Sequence, residues 1–342
     1  RRRRCRHPNS VRRELLVPRV LITTVPFGEV DPISLRVLED AGLEYVLNPI
    51  DRRLTEDELA SLVRGFDCLI AGTEPITDRV MAAEPGLRLI SRVGVGLDNV
   101  DLTAARARGV EVAYTPEGPA DAVAELTIGL SLSLLRSVHI ANRAIRTGVW
   151  KRIQGRRLEK VSVGVVGVGR IGTRVIRLLS AFGGEILAND VSPTDLEQPV
   201  RWVDKETLFK EADVVTLHVP LTRHTRNLIG AEQLEAMGAD TVLVNTCRGG
   251  VVNEAALADA LRRGVIAGAA VDTFAEEPYH GELVEVETCL ITPHMGSMSA
   301  DCRLAMEVGA ARNVVAFLTG EPLDETVPDT EYEMRAADEE GG

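Results

Sequence analysis

Three features of the sequence predict an α/β chain built on two doubly wound parallel sheets. From residue 19 onward, short β-branched runs alternate with amphipathic helical patterns, the arrangement that gives parallel strands covered by helices on both faces. A long apolar helical segment at 119–146 separates two such series. The second series opens with a glycine-rich turn between a strand and a helix. A length of 342 residues is enough for two domains with separate cores.

In the first series, strands are expected at 19–24 (RVLITT), 44–48 (EYVLN), 67–72 (DCLIAG), 88–93 (RLISRV) and 110–114 (VEVAY). DPISLRVLEDAG and TEDELASLVRG supply helices between them, and Thr55 with Glu58 has capping-box spacing. The segment 119–146 carries Pro119 near its start and is apolar on nearly every side of its centre. It reads as one buried helix, partly covered by another subunit. Strands of the second series are expected at 161–167, 185–190, 213–219, 241–246, 267–273 and 289–294. Six strands alternating with helices make the second doubly wound sheet.

Composition narrows the function. Hydrophobic residues are 45% of the chain and charged residues 26%, as in ordinary globular proteins. Lys and Arg number 39 against 51 Asp and Glu, a net charge of −12, which argues against nucleic acid as a partner because phosphate binding needs a basic face. No apolar run approaches the ~20 residues of a membrane span. Cys5, Cys68, Cys247, Cys289 and Cys302 form no CxxC and no metal-ligand spacing. Free thiols in a reducing compartment follow, which points to the cytoplasm and to no bound metal. The basic start, residues 1–18, lacks the apolar core of a secretory signal and reads as a disordered extension. The acidic stretch 326–342 reads as a solvated tail.

In VSVGVVGVGRIGTRVIRLL, the glycines Gly167, Gly169 and Gly172 have GxGxxG spacing. The first permits a tight turn, the second admits a pyrophosphate to the backbone, and the third lets helix and strand pack closely. The phosphates then meet the positive end of the following helix. The next strand ends at Asp190, eighteen residues after Gly172. A carboxylate there would accept hydrogen bonds from a ribose and repel a 2′-phosphate, favouring NAD over NADP. The alternative is a helix N-cap before SPTDLE.

Ligands of doubly wound sheets bind beyond the carboxyl ends of the strands. The second series places His218 and Pro220, Asn245 to Arg248, Asp272 and His294 at such ends, with Glu277 shortly after Asp272. Burying charge there is costly unless chemistry requires it. Hydride transfer between nicotinamide and a 2-hydroxy acid is such a chemistry. Arg248 suits the substrate carboxylate as a bidentate fork, His294 suits the general acid/base, and a neighbouring carboxylate would orient the histidine. Glu276 and Glu277 are adjacent, and residue chemistry alone does not choose between them.

VGVVGVGRIG, LHVPLT, VNTCRGGVVNEAALADAL, AGAAVDTFAEEP and TPHMGSMS resemble, in order and spacing, the D-isomer-specific 2-hydroxyacid dehydrogenases, and among them the phosphoglycerate dehydrogenase-like members. The resemblance covers about residues 19 to 325. It implies a Rossmann NAD-binding domain, 119–294, inserted into a flavodoxin-like substrate domain made of 19–118 and 295–325. It implies Arg248 as the substrate arginine, His294 as the acid/base, and Glu277, immediately before the proline, as its partner. Implied dinucleotide contacts add Arg170, Ile171, Val219, Pro220, Thr246, Cys247, Asp272 and Gly296 to the glycine turn and Asp190. RVGVGLDNVD resembles the loop whose N–H groups hold the substrate carboxylate, at Gly94, Val95 and Gly96. The helix at 119–146 would form much of a homodimer interface.

Two departures bear on the substrate. Cys247 stands where the family usually has Ser or Ala, and IAGTEPIT lacks the arginine of the RS-x-T segment carried by phosphate-reading members. Arg92 is the remaining candidate for an anionic tail. With few residues after 325, no C-terminal regulatory domain is expected. The expected function is NADH-dependent interconversion of a small anionic 2-oxo acid and its D-2-hydroxy acid. Its rivals are the same chemistry on a phosphonate or sulfonate analogue, and an NAD-sensing, corepressor-like binding protein.

Overall fold

The computed structural model describes residues 17–329 and 331–332. The basic extension expected at 1–18 and the acidic tail at 326–342 lie largely outside the described residues. Contacts divide the chain into two compact units. The first holds the described residues up to Val93, with Asn99–Tyr114 and Glu307–Thr326; the second holds Gly94–Asp98, Thr115–Met306 and the described residues from Val327. The expected changes of domain are at 118/119 and 294/295. The contacts put them at Tyr114/Thr115 and Met306/Glu307, and assign the Gly94–Asp98 loop to the second unit.

The first unit contains β1 (Arg19–Ile22), α1 (Ile33–Asp40), β2 (Glu44–Leu47), α2 (Glu56–Leu62), β3 (Cys68–Ala71), α3 (Asp78–Ala83), β4 (Leu89–Arg92), α4 (Leu102–Arg108) and β5 (Glu111–Ala113). Its sheet is parallel throughout, in the order β2-β1-β3-β4-β5, which is the flavodoxin-like winding. The central strands β3 and β4 are buried at every residue, which explains their unbroken apolar reading. The capping box at Thr55 and Glu58 forms as the spacing predicts.

The second unit begins with α5 (Gly118–Leu135) and α6 (Val138–Arg146). This corrects the single helix expected at 119–146. Ser137 takes a left-handed conformation, φ 49°, and the two helices meet at 63°. Burial explains the change of direction: α5 packs many residues inside, whereas α6 buries none. Then follow β6 (Val163–Val166), α7 (Arg170–Ser180), β7 (Ile186–Asn189), β8 (Arg201–Trp202), α8 (Lys205–Glu211), β9 (Val214–Leu217), α9 (Ala231–Ala236), β10 (Val242–Asn245), α10 (Glu254–Arg263), β11 (Gly268–Val271) and β12 (Cys289–Ile291). A last helix, α11 (Ala300–Thr319), passes from the second unit into the first after Met306.

Among the described residues this sheet has seven parallel strands, ordered β12-β11-β10-β9-β6-β7-β8, one more than expected. The addition, β8, is a two-residue edge strand paired only with β7, too short to leave a periodic signal. Strand order reverses between β6 and β9. That switch point is where such sheets receive a ligand. Among the described residues no single helix is long and apolar enough to cross a membrane.

Candidate active site

The glycine turn lies at the switch point, and its three glycines differ in what demands them. Gly167 has φ +90°, and a Cβ there would lie 2.4 Å from the His218 carbonyl oxygen at the end of β9. A Cβ on Gly172 would lie 2.0 Å from the Gly167 carbonyl oxygen. Gly169 faces open space. It is the N-cap of α7, with no side-chain cap and no acid in the first helical turn. Uncapped amides and the positive helix end are therefore presented to an anion. Arg170 and Ile171 are the first two residues of that helix, and Arg170 Nε donates to the exposed Glu117 at 2.7 Å.

Asp190 follows β7 and takes hydrogen bonds from the Val168 amide in the glycine turn, 2.7 Å, and from the Ser192 amide, 2.9 Å. No helix begins at SPTDLE, so the N-cap alternative has nothing to cap. Each carboxylate oxygen retains acceptor capacity for a hydroxyl. Open space at Gly169, an uncapped helix end and an acceptor beside the turn fit a dinucleotide whose ribose is not phosphorylated.

Val219 and the exposed Pro220 follow β9. Thr246, after β10, pairs its hydroxyl with that of Thr127 on α5 at 2.9 Å. Cys247 is buried, and its thiol donates to Asn245 Oδ1 at 3.0 Å. Burial pushes that thiol up, so it stays protonated and unreactive. Asp272 is fully buried after β11. Its carboxylate accepts from Thr292 Oγ1 at 2.6 Å and from the Met295 and Gly296 amides, both at 2.9 Å. Asp272 thus ties down the turn that carries His294, and its own carbonyl accepts the His294 amide at 2.8 Å. The turn holds His294 at φ +51°, a left-handed conformation that a non-glycine residue adopts only when its surroundings impose it.

His294 Nδ1 lies 2.9 Å and 3.1 Å from the two oxygens of Glu277. Glu276 is exposed. Geometry therefore settles which glutamate faces the histidine, and it is Glu277. The Phe274 amide donates to Glu277 Oε1 at 3.0 Å, fixing the carboxylate from behind. A second strand-end histidine, His218, differs in kind: burial pushes its imidazole down to about 3, so it stays neutral near pH 7 and is unsuited to proton exchange.

Arg248 joins this set through the backbone. A Cβ on the next residue, Gly249, would lie 1.9 Å from the Phe274 carbonyl, so only glycine lets the Arg248 turn pack on the segment leading to Glu277. Asn245 Nδ2 holds the Arg248 carbonyl at 3.0 Å. The guanidinium donates through Nε to Asp98 Oδ2 at 2.6 Å and through Nη1 to the Cys247 carbonyl at 2.7 Å. Its Nη2 lies over Gly96, where a Cβ would come within 2.4 Å. The second unit thereby brings together Gly96, Arg248, Glu277 and His294 by successive contacts. The Gly94 amide donates to Thr115 Oγ1 at 2.8 Å. Arg92, in the first unit, is buried, with Nε donating to Asn99 Oδ1 at 3.2 Å and Nη1 to the Val93 carbonyl.

Comparison with known proteins agrees with this geometry. Residues 128–296 match the family described as D-isomer specific 2-hydroxyacid dehydrogenase, NAD binding domain. A glyoxylate reductase of Thermofilum pendens is 36% identical over 317 residues, covering 89% of this chain and 92% of that protein. The chain belongs to the D-isomer-specific 2-hydroxyacid dehydrogenase family. A D-3-phosphoglycerate dehydrogenase of Methanocaldococcus jannaschii is also 36% identical, over 87% of this chain but only 58% of its own length. The crystal structure of the TT0316 protein from Thermus thermophilus superposes with a TM-score of 0.84 at 37% identity, covering 91% of this chain and all of that one (100%). The chain is thus an NAD-dependent D-2-hydroxyacid dehydrogenase, and NAD(H) is its cofactor. Motif reading passed over three residues that shape this candidate site: Asp98, Thr115 and Gly249. Asp98 lies within the RVGVGLDNVD motif, but its partner is 150 residues away and nothing local marks it.

Proposed function

We propose that this dehydrogenase reduces a small 2-oxo acid to its D-2-hydroxy acid with NADH. The supporting observation is the His294–Glu277 pair, set beyond a dinucleotide turn in the same unit as an oriented arginine. Arg248 binds the substrate carboxylate as a fork, and the Val95 and Gly96 amides complete that grip. NADH supplies the hydride that adds to the carbonyl carbon. His294 gives the carbonyl oxygen its proton, and in oxidation takes it back. With Nδ1 engaged by Glu277, Nε2 is the nitrogen turned to substrate, the usual logic of an oriented histidine. Asp272 holds the histidine turn in place. Arg92 braces Val93 and Asn99; with its donors so directed, we assign it to holding that segment rather than to reading an anionic tail.

A panel of glyoxylate, pyruvate, hydroxypyruvate, phosphonopyruvate and sulfopyruvate, followed by NADH oxidation, tests the proposal. The expected outcome is turnover of a tailless 2-oxo acid, with kcat/KM about tenfold or more higher for NADH than for NADPH, because Asp190 and a 2′-phosphate would repel. Equal values for the two cofactors would mean that Asp190 faces elsewhere. Dinucleotide binding without any turnover would instead favour a sensing role.

The reading extends to a homodimer. The helix α6 buries no residue of its own, and Val138, Ile145, Val149 and Trp150 are exposed, Trp150 to 82%. So much apolar surface around one helix suits a second copy of the chain. Trp150→Glu is expected to convert a dimer into a monomer at micromolar concentration in sedimentation runs. A wild-type monomer under the same conditions would overturn the dimer.

A further inference from the structure

The loop Gly94–Asp98 does more than offer amides to a carboxylate. Its last residue, Asp98, places a carboxylate oxygen 2.6 Å from Arg248 Nε, with both side chains partly exposed, at 32% and 26%. A carboxylate beside the arginine meant to bind a substrate carboxylate invites a question, since it occupies a donor the substrate would otherwise use. The geometry resolves it. Guanidinium has five N–H groups in a fixed plane. Asp98 takes the one on Nε, and the Cys247 carbonyl takes one on Nη1. The Nη2 amine lies against Gly96, at a position any side chain would fill. These two bonds engage Nε and one Nη1 hydrogen, which leaves Nη2 and the other Nη1 hydrogen, on the two nitrogens of the end-on edge, for an anion.

We propose that Asp98 is a positioning residue that locks the rotamer of Arg248 and selects end-on binding of the substrate carboxylate. This deepens the proposed function and rests on its reading of Arg248. A long arginine stem would otherwise lose much rotamer freedom on each binding event. An anchored fork loses that freedom at folding instead. An ordinary surface ion pair would matter little. This one differs in being short, charge-assisted and directed to Nε.

The test is steady-state kinetics with glyoxylate and NADH on Asp98→Asn, Asp98→Ala and Asp98→Glu, each also combined with Arg248→Lys. Asp98→Ala is expected to lower kcat/KM about 10–100-fold, the scale of one charge-assisted hydrogen bond. The loss should fall mainly on KM for the 2-oxo acid, with the NADH dissociation constant changed less than about twofold. Asp98→Asn, nearly isosteric, should lose less and Asp98→Glu should recover part of the activity, because each keeps an acceptor for Nε. In the Arg248→Lys background, which has no Nε–H to hold, Asp98→Ala should add less than about twofold. Full additivity there, or unchanged KM in both Asp98→Ala and Asp98→Asn, would overturn the proposal. Wild-type kinetics in Arg248→Lys and Arg248→Gln themselves would remove the reading of Arg248 on which it rests. That is a separate result from failure of the Asp98 series.

Discussion

Replacement of His294 by Gln is expected to lower kcat by about 10²–10⁴ while leaving NADH affinity within a few-fold. The amide keeps the size and a hydrogen-bonding end but carries no proton that exchanges near neutrality. His294 is exposed at the end of its turn, with Nδ1 held by Glu277 at 2.9 Å. The proposed dinucleotide cradle around Gly169 and Asp190 is built from other elements, β6, α7 and β7. Proton transfer and cofactor binding should therefore separate cleanly. Stopped-flow turnover at saturating NADH, with NADH binding followed by its fluorescence, measures both. Near-normal turnover would eliminate His294 as the acid. Loss of NADH affinity together with turnover would make His294 part of the cradle instead.

The ease of reading this fold from sequence follows from where its strands sit. In parallel sheets covered on both faces the interior strands are buried at every residue, as in VGVV of β6, VVTL of β9 and VLVN of β10. Such strands appear as unbroken apolar runs. The edge strand β8 has two residues, one of them exposed, and leaves no such trace. The break between α5 and α6 was equally hidden. Leu132, Leu134 and Leu135 lead directly into Val138 and Ile140, and the left-handed residue at the bend is Ser137 rather than glycine. Continuity of apolar residues reports burial of a segment, not its direction.

The site divides along the same physical line. Groups whose chemistry is scarce at a strand mouth were legible: the glycines that a close backbone approach demands, Arg248, His294, and an acid near it. Register was less so. Residue chemistry alone leaves Glu276 and Glu277 open, the family resemblance points to Glu277, and the turn brings Glu277 to the imidazole. The Gly94 amide has a partner, Thr115, that nothing in its own stretch announces. Gly249 matters because the Phe274–Ala275 backbone passes within 2.3 Å of where its Cβ would be, a contact made across 25 residues of sequence. Asp98 is the extreme case. Its carboxylate meets an arginine 150 residues away, which only the fold brings to it.

That same pairing makes Arg248→Gln the substitution with the largest expected effect on substrate. Two separate losses combine here. The substrate carboxylate loses its fork, and Asp98, having lost its bond to Arg248 Nε, stands as a carboxylate near an incoming carboxylate. A fall in kcat/KM of about 10²–10⁴ for glyoxylate is expected, at about 1.4 kcal/mol per tenfold, with NADH binding changed only a few-fold. The two losses can be told apart. Adding Asp98→Asn to Arg248→Gln removes the repulsion but restores no fork, so the double variant should recover part, and only part, of the lost kcat/KM. High salt should narrow the difference between single and double variants, since screening weakens repulsion between partly exposed charges. If the double variant is worse than Arg248→Gln, Asp98 does not repel substrate and its carboxylate serves the loop alone. If Arg248→Gln loses NADH binding as much as turnover, the arginine organises the cofactor strands, and the carboxylate must be held elsewhere.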